Sequence, residues 1–109
     1  MCDPYLVITS WPDLDGARQQ ANHWVENKLA ASVNILPQMD SIYVWEGELR
    51  NGTEHKILKT CAARLAALQS PALLSNIKLA HPYAVAEILH IKIDSGDPDY
   101  LNWIAASTQ

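Results

Sequence analysis

The chain has little of what phosphate binders, nucleophilic enzymes and nucleic-acid binders are built from. Its 109 residues include four glycines. None falls in a GxGxxG or GxxxxGK pattern, so no glycine-rich loop is present to cradle a phosphate. There is no GxSxG elbow, and neither Cys2 nor Cys61 has an evident histidine pairing, so the usual nucleophile signatures are missing. We therefore expect a protein that is not an enzyme. Two cysteines make no disulfide framework, and free thiols in a reducing compartment are the simpler reading. The histidines at 23, 55, 81 and 90 show no HxH or HxxxH spacing, and no CxxC is present. Eight Lys and Arg against twelve Asp and Glu give a net charge of −4 with no basic stripe, which argues against a nucleic-acid partner. No apolar run approaches the ~20 residues needed to cross a bilayer. Asp3 and Pro4 interrupt at once where a secretory apolar stretch would begin. The expectation is a cytoplasmic location with no membrane partner.

What is present is a folding composition: 49% hydrophobic and 18% charged residues. The length suits one domain over residues 1–109. A chain this short buries only about two thirds of its unfolded surface, and association with further copies is one usual remedy.

The pattern along the chain alternates. Tyr5 to Ser10 is a β-branched run that predicts a strand, stopped by Trp11-Pro12-Asp13. Asp13 is a suitable N-cap, and Leu14, Ala17, Ala21, Val25 and Leu29 recur at helical spacing after it. Ala30 to Leu36 predicts a second strand, broken at Pro37. Ser41 to Leu49 predicts a third, and Asn51-Gly52 the hairpin turn into a partner strand from Glu54 to Cys61. Ala62 to Gln69 reads as helix, with a restart at Ser70-Pro71 that His81-Pro82 ends. Glu87 to Ile93 predicts the last strand, and Tyr100, Leu101, Trp103 and Ile104 a short closing helix. The order β, α, β, β, α, β is that of an α+β ferredoxin-like split βαβ sandwich, with an antiparallel sheet and a short C-terminal helix.

Helices cover one face of such a sheet, and in a monomer the other face should be largely polar. The strand from Ser41 is not built that way: Ile42 and Val44 point to one side, Tyr43, Trp45 and Leu49 to the other. The simplest cover for the second face is another subunit.

Several short segments in order carry a resemblance. They are Ala30-Ala31-Ser32-Val33-Asn34-Ile35, Ser41-Ile42-Tyr43-Val44-Trp45-Glu46-Gly47, Lys59-Thr60, His81-Pro82-Tyr83 with Ala86-Glu87-Ile88, and Tyr100-Leu101-Asn102-Trp103-Ile104. Together they resemble the CutA family of divalent-cation tolerance proteins. The resemblance implies a ferredoxin-like protomer, a homotrimer similar in architecture to PII signalling proteins, and a link to copper and other divalent cations. It also implies a ligand-binding cleft between subunits near Trp45, Lys59, His81, Tyr83 and Glu87. The family often has a cysteine where this chain has Ser32, so the soft ligand that position supplies is missing here. The stretch between Lys59-Thr60 and His81 is also longer than usual.

Chemically, imidazole, phenol and carboxylate at His81, Tyr83 and Glu87 could meet a metal or a small polar ligand. Cys61 could be the soft ligand that Ser32 is not, which makes His81, Glu87 and Cys61 the candidate metal set. Lys59 is expected as a partly buried ammonium facing Glu87. A wholly structural role fits the same residues, with Lys59 and Glu87 an ion pair between subunits, His81 shaping a turn and Cys61 a small apolar core residue. Three functions remain open: a trimeric cation-binding module, a PII-like regulator taking an organic ligand or an unidentified protein partner in its clefts, and an assembly protein with no small ligand.

Overall fold

Strand β1 (Asp3–Trp11) grows from the predicted β-branched run and forms the spine of the molecule. The structure is a computed structural model, and it describes residues 3–63 and 87–109. After β1 come α1 (Leu14–Glu26), β2 (Ser32–Ile35), β3 (Met39–Trp45), β4 (Glu48–Ala63), β5 (Ile88–Lys92) and α2 (Pro98–Ser107). The expected helix over residues 64–69, the Ser70-Pro71 restart, the longer stretch that contains it and the turn at His81 lie outside the described residues. Ala62 and Ala63, expected to open that helix, instead close β4.

The sheet order is β2-β4-β1-β5, with β3 paired to the far end of β4. Both β1 and β2 run antiparallel to β4. They are therefore parallel to each other with β4 inserted between them, which is the split βαβ arrangement that the sequence order predicts.

Helix α1 starts where Asp13 accepts a hydrogen bond from the Gly16 amide at 2.6 Å. It stops earlier than its apolar period suggests, at Glu26. Lys28 takes a left-handed backbone (φ 60°). Its amide bonds the Val25 carbonyl at 3.2 Å, and the Leu29 amide bonds that of Trp24 at 2.8 Å. This is a Schellman stop with lysine in the position glycine usually fills. The buried stripe is Ala17 with Trp24, while Val25, expected inward, is exposed. Trp24 meets Trp11 edge-on, with ring centroids 6.2 Å apart. These two rings, Ala17, Ala30 and Ile57 form the main core. Helix α2 is capped by Asp97, which accepts from the Tyr100 amide, and it turns Ile104 inward.

The hairpin turn is not at Asn51-Gly52. It is at Glu46-Gly47, where both residues have positive φ (52° and 76°) between the paired residues Trp45 and Glu48. That is what a two-residue turn between twisted strands requires. Asn51 and Gly52 lie inside β4, opposite Ile42 and Ser41. A turn at Asn51-Gly52 would put Trp45 and Tyr43 opposite Leu58 and Thr60, and β2 already holds that edge of β4 by pairing with Ile57 to Thr60. The shift also moves Leu49 from the Tyr43 and Trp45 side to the side of Val44, its partner. The β2 ladder proper is shorter than predicted. Backbone bonds from Ala31 to Thr60 and from Leu36 to Lys56 nonetheless extend its contact with β4 over the predicted span.

Candidate functional site

Alternation along β4 divides the candidate residues between two worlds. Ile57, Lys59 and Cys61 point toward α1, as do Val7 and Tyr5 opposite them. Lys56, Leu58 and Thr60 point to the other face.

On the α1 side Lys59 is 2% exposed. Its ammonium lies 5.2 Å from the centroid of the Trp24 ring, a cation–π contact. Among the described residues no carboxylate forms an ion pair with it. Burial pushes its pKa down, offset in part by Cys61. Burial pushes the Cys61 thiol up, offset in part by Lys59. Cys61 is thus a protonated core thiol, packed with Tyr5 and Val7. His90 lies opposite Val7, in line with Lys59 across the sheet. Burial and then the Lys59 charge lower its pKa. His55 does not approach His90. It lies opposite Trp11, four residues along β1 from Val7, roughly 13 Å at strand rise.

On the other face Glu87 meets Lys56, not Lys59. The Lys56 ammonium donates to both Glu87 oxygens at 2.8 Å and to Ser10 Oγ at 3.0 Å. Ser10 Oγ donates to Glu87 Oε2 at 2.5 Å. Burial pushes the Glu87 carboxyl up, but the hydrogen bonds from Lys56 and Ser10 and the Lys56 charge outweigh it, so it titrates below the ordinary glutamate range. The sequence reading missed Lys56 and Ser10. Lys56 and Lys59 are three apart on one strand, so they must face opposite ways. Which of them meets Glu87 depends on register, which the sequence does not display.

Among the described residues the remaining candidates do not converge within one chain. Trp45 is at the hairpin tip, opposite Glu48. Eleven strand residues, roughly 35 Å, separate that point from Lys59. Glu87 belongs to the Ser10 end of β1 and Cys61 to the Tyr5 end, on opposite faces. His81 and Tyr83 lie outside the described residues. Among the described residues no three His, Cys, Asp or Glu side chains gather as a metal set. The Ser32 hydroxyl is committed to Thr60 Oγ1 at 2.7 Å. A divalent ion asks for three or four ligands, and the described residues of one chain do not fit one.

The uncovered face does carry a continuous apolar surface. Leu89, Ile8 and Leu58 form one row across β5, β1 and β4, and Ile91 and Leu6 lie in the next. Leu89 and Ile91 are about half exposed. The β3–β4 hairpin adds Ile42 and Leu49, each 70% exposed, and on its other side Tyr43 and Trp45.

Comparison with known proteins decides the kinship. Residues 5–107 match the family described as CutA1 divalent ion tolerance protein. The chain belongs to the CutA1 family. Its relatives include the divalent-cation tolerance protein CutA of Pectobacterium atrosepticum, 36% identical over 107 residues, covering 98% of this chain and 94% of that one. Among solved structures, the divalent cation tolerance protein of Thermus thermophilus superposes with a TM-score of 0.86 at 36% identity, covering 97% and 99% of the two chains. The Archaeoglobus fulgidus CutA, described as periplasmic, also superposes at 0.86, with 27% identity over 97% of this chain and 99% of that one. The sheet and helices are those of an α+β CutA1 protein.

Proposed function

We propose that this CutA1 chain acts as a homotrimeric divalent-cation tolerance protein that meets copper or another divalent ion at clefts between subunits, not within one chain. The observation that carries the reading is the pair of uncovered apolar surfaces, the Leu6, Ile8, Leu58, Leu89 and Ile91 face and the β3–β4 hairpin. A two-stranded ribbon is marginal alone in water, and a sheet face of this composition gains by being covered. The number three comes from the family likeness. Among the described residues the potential nucleophiles are poorly placed for catalysis: Ser10 is buried and bonded, and Cys61 is a buried neutral thiol. That supports a binding module over an enzyme. We place it in the cytoplasm, and cell fractionation that recovers it in another compartment would correct this.

Native mass spectrometry with and without copper is the test. Three copies of 12.1 kDa give about 36 kDa, and whole numbers of bound copper are expected above that mass. A 12.1 kDa species would end the trimer reading, and a trimer that takes up no ion would end the cation-binding one.

A second reading has an observation in its favour. Glu87 is already neutralised by Lys56, which leaves its carboxylate no net charge to offer a metal. That suits an organic ligand in a PII-like cleft better than a metal. Ligand-dependent change in Trp45 fluorescence without metal would favour it.

A further inference from the structure

The Lys56, Glu87 and Ser10 cluster stands between the two uncovered apolar surfaces. Along β4, Leu58 belongs to the Leu6, Ile8, Leu58, Leu89 and Ile91 face, and Lys56 is the next residue on that side. The hairpin begins two residues further on, at Glu54 opposite Met39, and its Tyr43 and Trp45 side continues the same face. The apolar rows span roughly 7 Å along the strands and roughly 10 Å across three of them. A standard interface takes about 800 Å² from each partner. A subunit that covers both the rows and the hairpin therefore passes over Lys56 and Glu87. Within one chain the cluster is neutral and closely bonded. The ammonium directs its three donors to Glu87 Oε1, Glu87 Oε2 and Ser10 Oγ, and Ser10 Oγ donates to Glu87 Oε2. The Lys56 and Glu87 side chains keep 26% and 34% exposure in the lone chain.

We infer that this cluster is a polar part of the surface that a second copy of the chain covers, and that its balance of charge, not either charge alone, lets the subunits close over it. The inference rests on the reading that other subunits cover the sheet face and the hairpin. In the lone chain the pair is partly wet, so losing one partner costs the fold little. Under a subunit the charge left behind loses its water and has no counter-ion. Breaking a buried pair on one side costs far more than replacing both members with neutral groups. The single and double substitutions therefore leave nearly the same fold and have opposite consequences for assembly.

The test is subunit exchange. Isotope-labelled and unlabelled full-length protein are mixed near neutral pH without added metal, at a temperature where the unaltered protein exchanges within a day. Native mass spectrometry follows the mixed oligomers with time. Four forms are compared: the unaltered chain, Lys56→Met, Glu87→Gln, and the two substitutions together. Each single variant is expected to exchange about tenfold or more faster than the unaltered protein, and the double variant to return to within about threefold of it. A single variant that is monomeric yet folded by circular dichroism is the extreme of the same result, and the double variant should then restore the oligomer. Lys56→Gln, which keeps a donor but no charge, serves if Lys56→Met does not fold, with the same outcome expected. Single variants that exchange at the unaltered rate would overturn the inference and leave the assembly reading intact. A double variant as fast as the faster single would do the same. An unaltered protein that stays at 12.1 kDa would overturn both.

Discussion

At the scale of single residues, two lysines three positions apart lead opposite lives. Lys56 is neutralised and about a quarter exposed. Lys59 is buried with an aromatic face and a thiol for company. Its pH signature follows from the direction of its shift. The folded pKa lies below the ordinary 10.5. Between those two values the unfolded chain holds more protons, so stability rises as pH increases through that window. Cys61 works the other way. Its folded pKa lies above the ordinary 9.0, so above that value stability falls as pH increases. Denaturation midpoints in a Cys61→Ala background should therefore climb with alkaline pH until Lys59 is neutral in both states. Adding Lys59→Met should flatten the climb, and a slope unchanged by that substitution would mean that Lys59 is well solvated. Within one chain Glu87 meets Lys56 and not Lys59, because residue type and spacing say that a carboxylate will find an ammonium, not which face of a strand each occupies.

At the scale of elements, more was legible. Strand β1, helix α1 with its Asp13 cap, and helix α2 were all readable, because β-branched runs, capping residues and helical spacing are local signals. What misled were signals with a rival. Asn51-Gly52 is a strong turn pair, but β2 competes for the edge of β4 that such a turn would use, and Glu46-Gly47 closes the hairpin instead. Val25 fits the apolar period of α1, yet Trp24 offers the larger buried surface and takes the inward place. The end of α1 carries a testable cost. A side chain in the left-handed region costs about 1 kcal/mol, and glycine gives back part of that gain by loosening the unfolded chain. Lys28→Gly should therefore raise stability by a few tenths to about 1 kcal/mol, read as a higher urea midpoint at fixed protein concentration. A lower midpoint would show that the lysine side chain makes a compensating contact.

For the whole molecule, the question is what covers the second face of the sheet. Leu89 is half exposed in the lone chain, so Leu89→Glu should leave the isolated fold nearly intact, within about 0.5 kcal/mol. In a trimer it would bury a charge, and native mass should fall toward 12.1 kDa. Trp45→Ala should weaken assembly if the hairpin tip lies between subunits, and an unchanged oligomer mass would refute that placement. The sequence made the need for cover legible through Tyr43 and Trp45. It did not disclose the Leu6, Ile8, Leu58, Leu89 and Ile91 surface, which exists only once β1, β4 and β5 are in register. Strand β4 adds a last consequence. Its residues 57–60 are flanked by β1 and β2, whereas residues 48–54 have β3 alone. One continuous strand therefore carries two clocks for amide hydrogen exchange. In a dissociated chain the hairpin half should exchange with each fraying of the ribbon, while the central half waits for the sheet to open. If subunits cover the hairpin as proposed, its half should slow toward the rate of the central half, and the spread of exchange times along β4 would then measure how much of the protein is assembled.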